Sequence, residues 1–198
     1  MNITRDSINT FFKSQSNKDL IDCIKEDTIF LGKVGRGKTT IVQEIGKIRK
    51  EQNGQSQTII EASYIVEQTG LETNSLQLLK STGYHPNLVI DNLNGAGEIK
   101  HFGVAKDMIE DIIKHRLDKK LEAIKILHRA KSDGETLKGN TKYNNEIWWA
   151  KTTNTIITNL TLTELKGVFS EPTWNRLSAM INNSVYVIER VDSFRNDG

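Results

Sequence analysis

Cysteine is almost missing from this chain of 198 residues: Cys23 stands alone. An internal disulfide and any cysteine-based metal cluster are thereby excluded, and a reducing, cytoplasmic setting is the expectation. An excess of one charge is also lacking. The formal net charge is only +2, so contact with nucleic acid would have to come from a local basic patch and not from a field over the whole molecule. No apolar run approaches the roughly 20 residues that cross a bilayer. The opening Met1-Asn2-Ile3-Thr4-Arg5-Asp6 has no apolar stretch of the kind a signal peptide carries. The expectation is a protein neither exported nor membrane-embedded. The four histidines, His85, His101, His115 and His128, show no metal-ligand spacing with carboxylates or cysteine. Internal repeats and low-complexity tracts are absent as well.

What is present is ordinary for a globular chain, with 36% hydrophobic and 26% charged residues. The length suits one α/β domain with its own core and is short for two. Residues 1–26 carry Ile8, Phe11, Phe12, Leu20, Ile21 and Ile24 at spacings that predict one or two short amphipathic helices, an N-terminal arm. Strands are predicted at Thr28-Ile29-Phe30-Leu31, at 57–61, at Asn87-Leu88-Val89-Ile90-Asp91, at 155–159 and at 185–189. Helices are predicted over 39–50, over 64–80 around the breaker Gly70, and over 104–128, the last as one long helix or a bent pair. Two more are expected near 162–169 and 173–181. Residues 131–150, polar and glycine-containing up to Trp148-Trp149, read as an inserted loop. Strands alternating with helices predict a parallel sheet covered on both faces, a three-layer α/β/α architecture.

The chemistry concentrates in Gly32-Lys33-Val34-Gly35-Arg36-Gly37-Lys38-Thr39, which satisfies G-x-x-x-x-G-K-[ST]. Glycines allow backbone conformations that turn successive amides toward phosphate oxygens. Lys38 supplies charge at the β and γ phosphates, and Thr39 offers a hydroxyl to Mg²⁺. The helix that begins here, through Thr40, presents its positive dipole end. An apolar strand before the loop and an amphipathic helix after it are the context this motif requires. The alternative, a glycine-rich turn with a chance lysine, lacks that context. ATP and Mg²⁺ are the expected ligands.

Such a loop needs a metal-side carboxylate at the end of a neighbouring buried strand, and Asp91 closes the apolar run Leu88-Val89-Ile90. An N-cap or turn aspartate is the plainer alternative. The next position is Asn92, which can orient a water but cannot accept its proton. Two readings stay open: slow hydrolysis, or Glu98 as the substitute for an acid at this position.

With these residues in view, the chain resembles the AAA+ ATPases of the DnaC/DnaI-type helicase-loader group, which includes the IstB-type transposition ATPases. The resemblance spans about residues 28–195. It rests on the loop, on Asn87-Leu88-Val89-Ile90-Asp91 as a Walker B strand, and on Thr155-Ile156-Ile157-Thr158-Asn159-Leu160-Thr161-Leu162-Thr163-Glu164-Leu165, which is similar to the group's sensor 1 segment. The resemblance implies that Asn159 is sensor 1. Glu171-Pro172-Thr173-Trp174-Asn175-Arg176-Leu177 is similar to the box carrying the arginine finger, which maps that role onto Arg176; a surface arginine paired with an acid such as Glu171 is the alternative. Val191-Asp192-Ser193-Phe194-Arg195 resembles a segment near the end of loader domains, implying a phosphate sensor at Arg195 and no C-terminal lid domain. The implied organisation is an arm over 1–26 and an AAA+ domain over 27–198 with an insertion at 121–150. The implied activity is ATP hydrolysis in the service of DNA replication, with a replicative helicase and single-stranded DNA as partners and self-assembly through Arg176. An IstB-type transposition ATPase and a nucleotide-binding regulatory module with little turnover are the alternatives.

Basic residues gather at Lys114, His115, Arg116, Lys119, Lys120, Lys125, His128, Arg129 and Lys131. Interleaved acids, Asp118 and Glu122, make a solvated helix face the stronger reading and a phosphate contact the weaker. Trp148-Trp149 suits either base stacking, a protein anchor, or one core residue beside one exposed.

Overall fold

The computed structural model describes residues 5–16, 25–70, 81–93, 103–181 and 184–188. Five parallel strands, β1 (Thr28–Leu31), β2 (Gln57–Glu61), β3 (Asn87–Asp91), β4 (Thr153–Thr158) and β5 (Val185–Val187), form one sheet in the order β2-β3-β4-β1-β5. Because side chains alternate along a strand, each one feeds two cores. Ile29, Leu31, Leu88, Ile90 and Ile156 pack to one face, and Phe30, Val89, Ile157 and Tyr186 to the other.

The second face is covered by α1 (Arg5–Ser16) and α2 (Lys38–Asn53). Ile8, Phe11 and Phe12 of α1 join Ile41, Val42, Ile45 and Ile48 of α2 over Phe30 and Tyr186. Phe12 meets Tyr186 edge-on at 4.5 Å between centroids. The segment expected as an arm is therefore, in its described part, one wall of the core. Leu20, Ile21 and Ile24 lie outside the described residues.

The first face is covered by α3 (Ala62–Gly70), α4 (Gly103–Ser132), α6 (Leu162–Lys166) and α7 (Glu171–Ile181), with α5 (Asn144–Ala150) packed on α4. Ala62, Ile65, Met108, Ile109, Ile112, Ile113, Leu117, Leu165, Leu177 and Ile181 fill the space between these helices and the sheet. The expected α/β/α sandwich is what the chain forms. Helix α6 starts with a full capping box: Thr161 Oγ1 accepts from the Glu164 amide, and Glu164 accepts from the Thr161 amide at 2.8 Å. Helix α7 is tied to α4 at its start, where Thr173 Oγ1 donates to Glu110 Oε1 at 2.8 Å and the Ser170 amide donates to the same carboxylate.

Two expectations change. The long helix is single and runs on to Ser132. Of residues 131–150, expected as a loop, the first two continue that helix and the rest hold a short 3-10 turn and α5, because Tyr143 and Trp149 are buried and Tyr143 Oη donates to Glu135 Oε2 at 2.8 Å, closing the segment on itself. No helix among the described residues is long and apolar enough to cross a membrane.

Candidate nucleotide site

In an open parallel sheet, ligands bind in the crevice beyond the carboxyl ends of the strands. At that edge β1, β4 and β3 lie side by side, and each delivers one part of a polar cleft. The loop after β1 leads into α2. Its first residue, Gly32, passes so close to the end of β5 that a Cβ there would collide with the Ile188 carbonyl. Gly37, the residue before α2, sits at φ 79°, a left-handed conformation that glycine adopts without strain. These constraints account for two of the loop's three glycines.

Lys38 is buried at the base of the loop. Its ammonium donates to the Gly32 carbonyl, to the Lys33 carbonyl at 2.9 Å and to Asn159 Oδ1, just past β4, at 2.8 Å. Burial lowers its pKa from the ordinary lysine value, and the negative charge of Asp91 opposes that shift. Thr39 Oγ1 donates to Asp91 Oδ2 at 2.8 Å, while Asp91 Oδ1 accepts from the Asn92 amide at 2.7 Å. A hydroxyl and a carboxylate this close are hard oxygen donors of the type Mg²⁺ takes alongside nucleotide phosphates. The residues present fit that ion, which Thr39 and Asp91 would hold.

The cleft has a volume of about 450 Å³ and is lined from Val34 through Gly35, Arg36, Gly37, Lys38 and Thr39 to Thr40, with Asp91, Asn92 and Asn159 opposite. That size lies in the range of small-molecule sites. Lys38, Thr39, Asp91, Asn92 and Asn159, scattered in sequence, are thus brought together. Glu61, the last residue of β2, also lines the cleft and was not singled out in the sequence. The signal that marks it is its place: a carboxylate at the carboxyl end of a strand beside β3.

Arg176 is elsewhere. It lies on α7, half-exposed, with Nη1 3.2 Å from Asp118 Oδ1 on α4, an ion pair in distance without hydrogen-bond geometry. The acid it pairs with is Asp118 and not the Glu171 named in the sequence. Arg195 and Glu98 lie outside the described residues. The basic stretch divides: Arg116 and Lys120 are buried in the interior, whereas Lys114, Lys125, His128 and Arg129 are exposed. Of the tandem tryptophans, Trp149 is core and Trp148 half-buried, stacked at 6.4 Å on Tyr84.

No family model and no curated protein matches the chain. Solved structures do. A DnaC helicase loader aligns with a TM-score of 0.56 at 20% identity, over 92% of this chain and 86% of that one. A putative primosome component from Streptococcus pyogenes serotype M3 aligns at 0.53 and 13% identity, over 96% and 79%. AMPPCP-bound DnaA from Aquifex aeolicus aligns at 0.50 and 14%, over 95% of this chain but 48% of that one. Identities this low carry the fold and not the roles of residues. The chain has a three-layer α/β/α fold around a parallel sheet, which it shares with the solved structure of a DnaC helicase loader.

Proposed function

We propose that this chain is an ATP-binding accessory protein of DNA replication that loads a ring-shaped helicase onto single-stranded DNA. The observation that carries the reading is the convergence of Lys38, Thr39, Asp91 and Asn159 on one cleft, in a fold shared with a helicase loader. Lys38 already points its ammonium into the loop, where phosphate oxygens would take the place of the Gly32 and Lys33 carbonyls. The loop amides and the start of α2 add donors of fixed direction. Thr39 and Asp91 would hold Mg²⁺, which would supply positive charge opposite the phosphates. Asn159, bonded to Lys38, reports on whether that lysine is engaged.

Arg176 acts on nucleotide held by a second copy of the chain. Its position on α7, away from the cleft of its own chain, supports this. An arginine supplied in trans raises phosphoryl-transfer rates by about 10³ or more. Arg176→Ala is therefore expected to bind ATP as the wild type does, to lose ATP-dependent self-assembly and turnover, and to fail to load a replicative helicase onto circular single-stranded DNA. Mixing it with Lys38→Ala, which lends an intact Arg176, restores part of the turnover. Full assembly and turnover by Arg176→Ala alone would sink the loader reading and favour a regulatory module, the reading that Asn92 also supports.

A further inference from the structure

Water attacking a phosphoryl group must give up a proton, and Asn92 cannot take it. The structure explains that asparagine on other grounds. Asn92 sits at φ 58°, left-handed, a conformation that asparagine reaches more readily than most other residues. The turn it makes carries the chain over to β4, where the Leu93 amide donates to the Ile157 carbonyl at 3.1 Å and the Leu93 side chain is fully buried. Residue 92 serves the backbone, so a group that takes the proton must come from elsewhere.

Among the described residues the cleft is lined by two carboxylates, Asp91 and Glu61. Both oxygens of Asp91 are engaged, by Thr39 and by the Asn92 amide. Glu61 lies beside it: β2 and β3 are parallel, with Glu61 in register with Asp91. In-register residues of adjacent strands sit about 4.8 Å apart and face the same way. The face is the correct one. Gln57 Nε2 donates to the Val42 carbonyl of α2 at 2.9 Å, Ile59 packs into the core on that side, and two positions on, Glu61 points the same way. Ser63 Oγ, 3.2 Å from Glu61 Oε2, donates to it from the first turn of α3. Glu61 is exposed, so a proton it receives passes on to solvent.

We propose that Glu61 is the general base for ATP hydrolysis in this cleft, an inference that rests on the nucleotide reading above. Its carboxylate takes one proton from the water as the water oxygen bonds to the γ-phosphorus. The bond from that phosphorus to the β–γ bridging oxygen breaks, its electron pair leaves with ADP, and the proton goes from Glu61 to bulk water. The position after Asp91 and the end of β2 have thus divided the work: the first makes the turn and the second supplies the acid.

The test compares Glu61→Gln and Glu61→Asp with the wild type, by binding of a fluorescent ATP analogue with Mg²⁺ and by single-turnover phosphate release. Glu61→Gln is expected to keep its nucleotide Kd within about twofold while phosphate release falls by about 10²-fold or more. Glu61→Asp recovers part of the rate. A Glu61→Gln rate within a few-fold of the wild type overturns the proposal, as does a wild-type chain that binds ATP and never releases phosphate. Failure of the nucleotide reading looks different: the wild type then binds no ATP at all, and the proposal falls with it.

Discussion

The two ends of one sheet hold similar inventories of charge and treat them in opposite ways. At the amino end, Asp27 is fully buried, with Lys120 Nζ at 2.8 Å from Oδ2 and the Asn154 amide at 2.6 Å from Oδ1. Arg116, also fully buried, donates to Asn154 Oδ1, to the Gly83 and His85 carbonyls at 2.7 and 2.5 Å, and to the Thr153 carbonyl at 2.9 Å. Burial pushes Arg116 and Arg49 down to about 10, and the Asp27 charge works against that shift in both. At the carboxyl end, the cleft is open and the partners of Lys38 are mostly carbonyls of its own loop. The first end is closed by groups that only the folded chain can supply. The second is held by bonds that a ligand can replace. A buried network whose donors and acceptors are matched specifies the fold, and an open one with replaceable partners marks function.

The largest effect should come from breaking the closed end. Asp27→Ala strands the buried Lys120 ammonium and two donors of Asn154, and removing one partner of a buried ion pair costs about 3–5 kcal/mol. Since domains of this kind are stable by only about 5–15 kcal/mol, urea unfolding should shift far down or the chain should fail to fold. Asp27→Asn keeps an oxygen for the Asn154 amide and should fall between. An Asp27→Ala chain that unfolds at the wild-type urea concentration would mean that the network is ornament.

The open end should answer differently. Lys38→Ala removes a desolvated charge whose partner oxygens line a cleft that water enters, so stability should change by under about 1 kcal/mol in the same urea experiment. Its nucleotide affinity should drop by roughly 10- to 100-fold, the worth of a hydrogen bond to a charged group. Isothermal titration with ATP and Mg²⁺ measures it. A Lys38→Ala chain that is both unstable and nucleotide-competent would reverse the assignment of the two ends.

The open end was largely legible in the sequence, and the closed end was not. Strands β1, β2 and β3 have the predicted bounds; the apolar runs of β1 and β3 are closed by Gly32 and by Asp91-Asn92, which leave little choice. Lys38, Thr39 and Asp91 follow from a loop whose residues are contiguous and a carboxylate at a strand end. Arg116 and Lys120 read as surface charge because their partners are remote: Lys120 and Asp27 are 93 positions apart, and no periodicity reports that pairing. β4 begins at Thr153, two residues before its expected start, because Thr153 and Asn154 are held by Asn87 and Asp27 and not by apolar burial. Glu61 was hidden for the same reason, as its role depends on β2 lying beside β3.

The smallest effect separates the two ends by pH. His85 lies just before β3 at the amino side of the sheet, and His115 lies on α4 against Trp149. His85 is held below the usual histidine value first by burial and then by the charge of Arg116, and its Nδ1 lies 3.0 Å from Thr58 Oγ1. His115, whose ring is 5.9 Å from that of Trp149, is lowered first by burial and then by Lys119 and Arg116, with Asp118 opposing. A base whose pKa is depressed by folding binds fewer protons in the native than in the unfolded chain. Stability is therefore complete above the unfolded value of about 6.5 and declines as pH falls through it. Glu135, lowered first by its hydrogen bond from Tyr143, adds its own loss only in the carboxylate range. Between about pH 7.5 and 5 the histidine contribution stands clear of it. Thermal unfolding should thus show a Tm that falls modestly across that interval, and His85→Gln with His115→Gln should flatten the fall while leaving ATP affinity at pH 7.5 as it was. A wild-type Tm that is level over the interval, or a fall that persists undiminished in the double variant, would place the acid-sensitive groups elsewhere than the closed end.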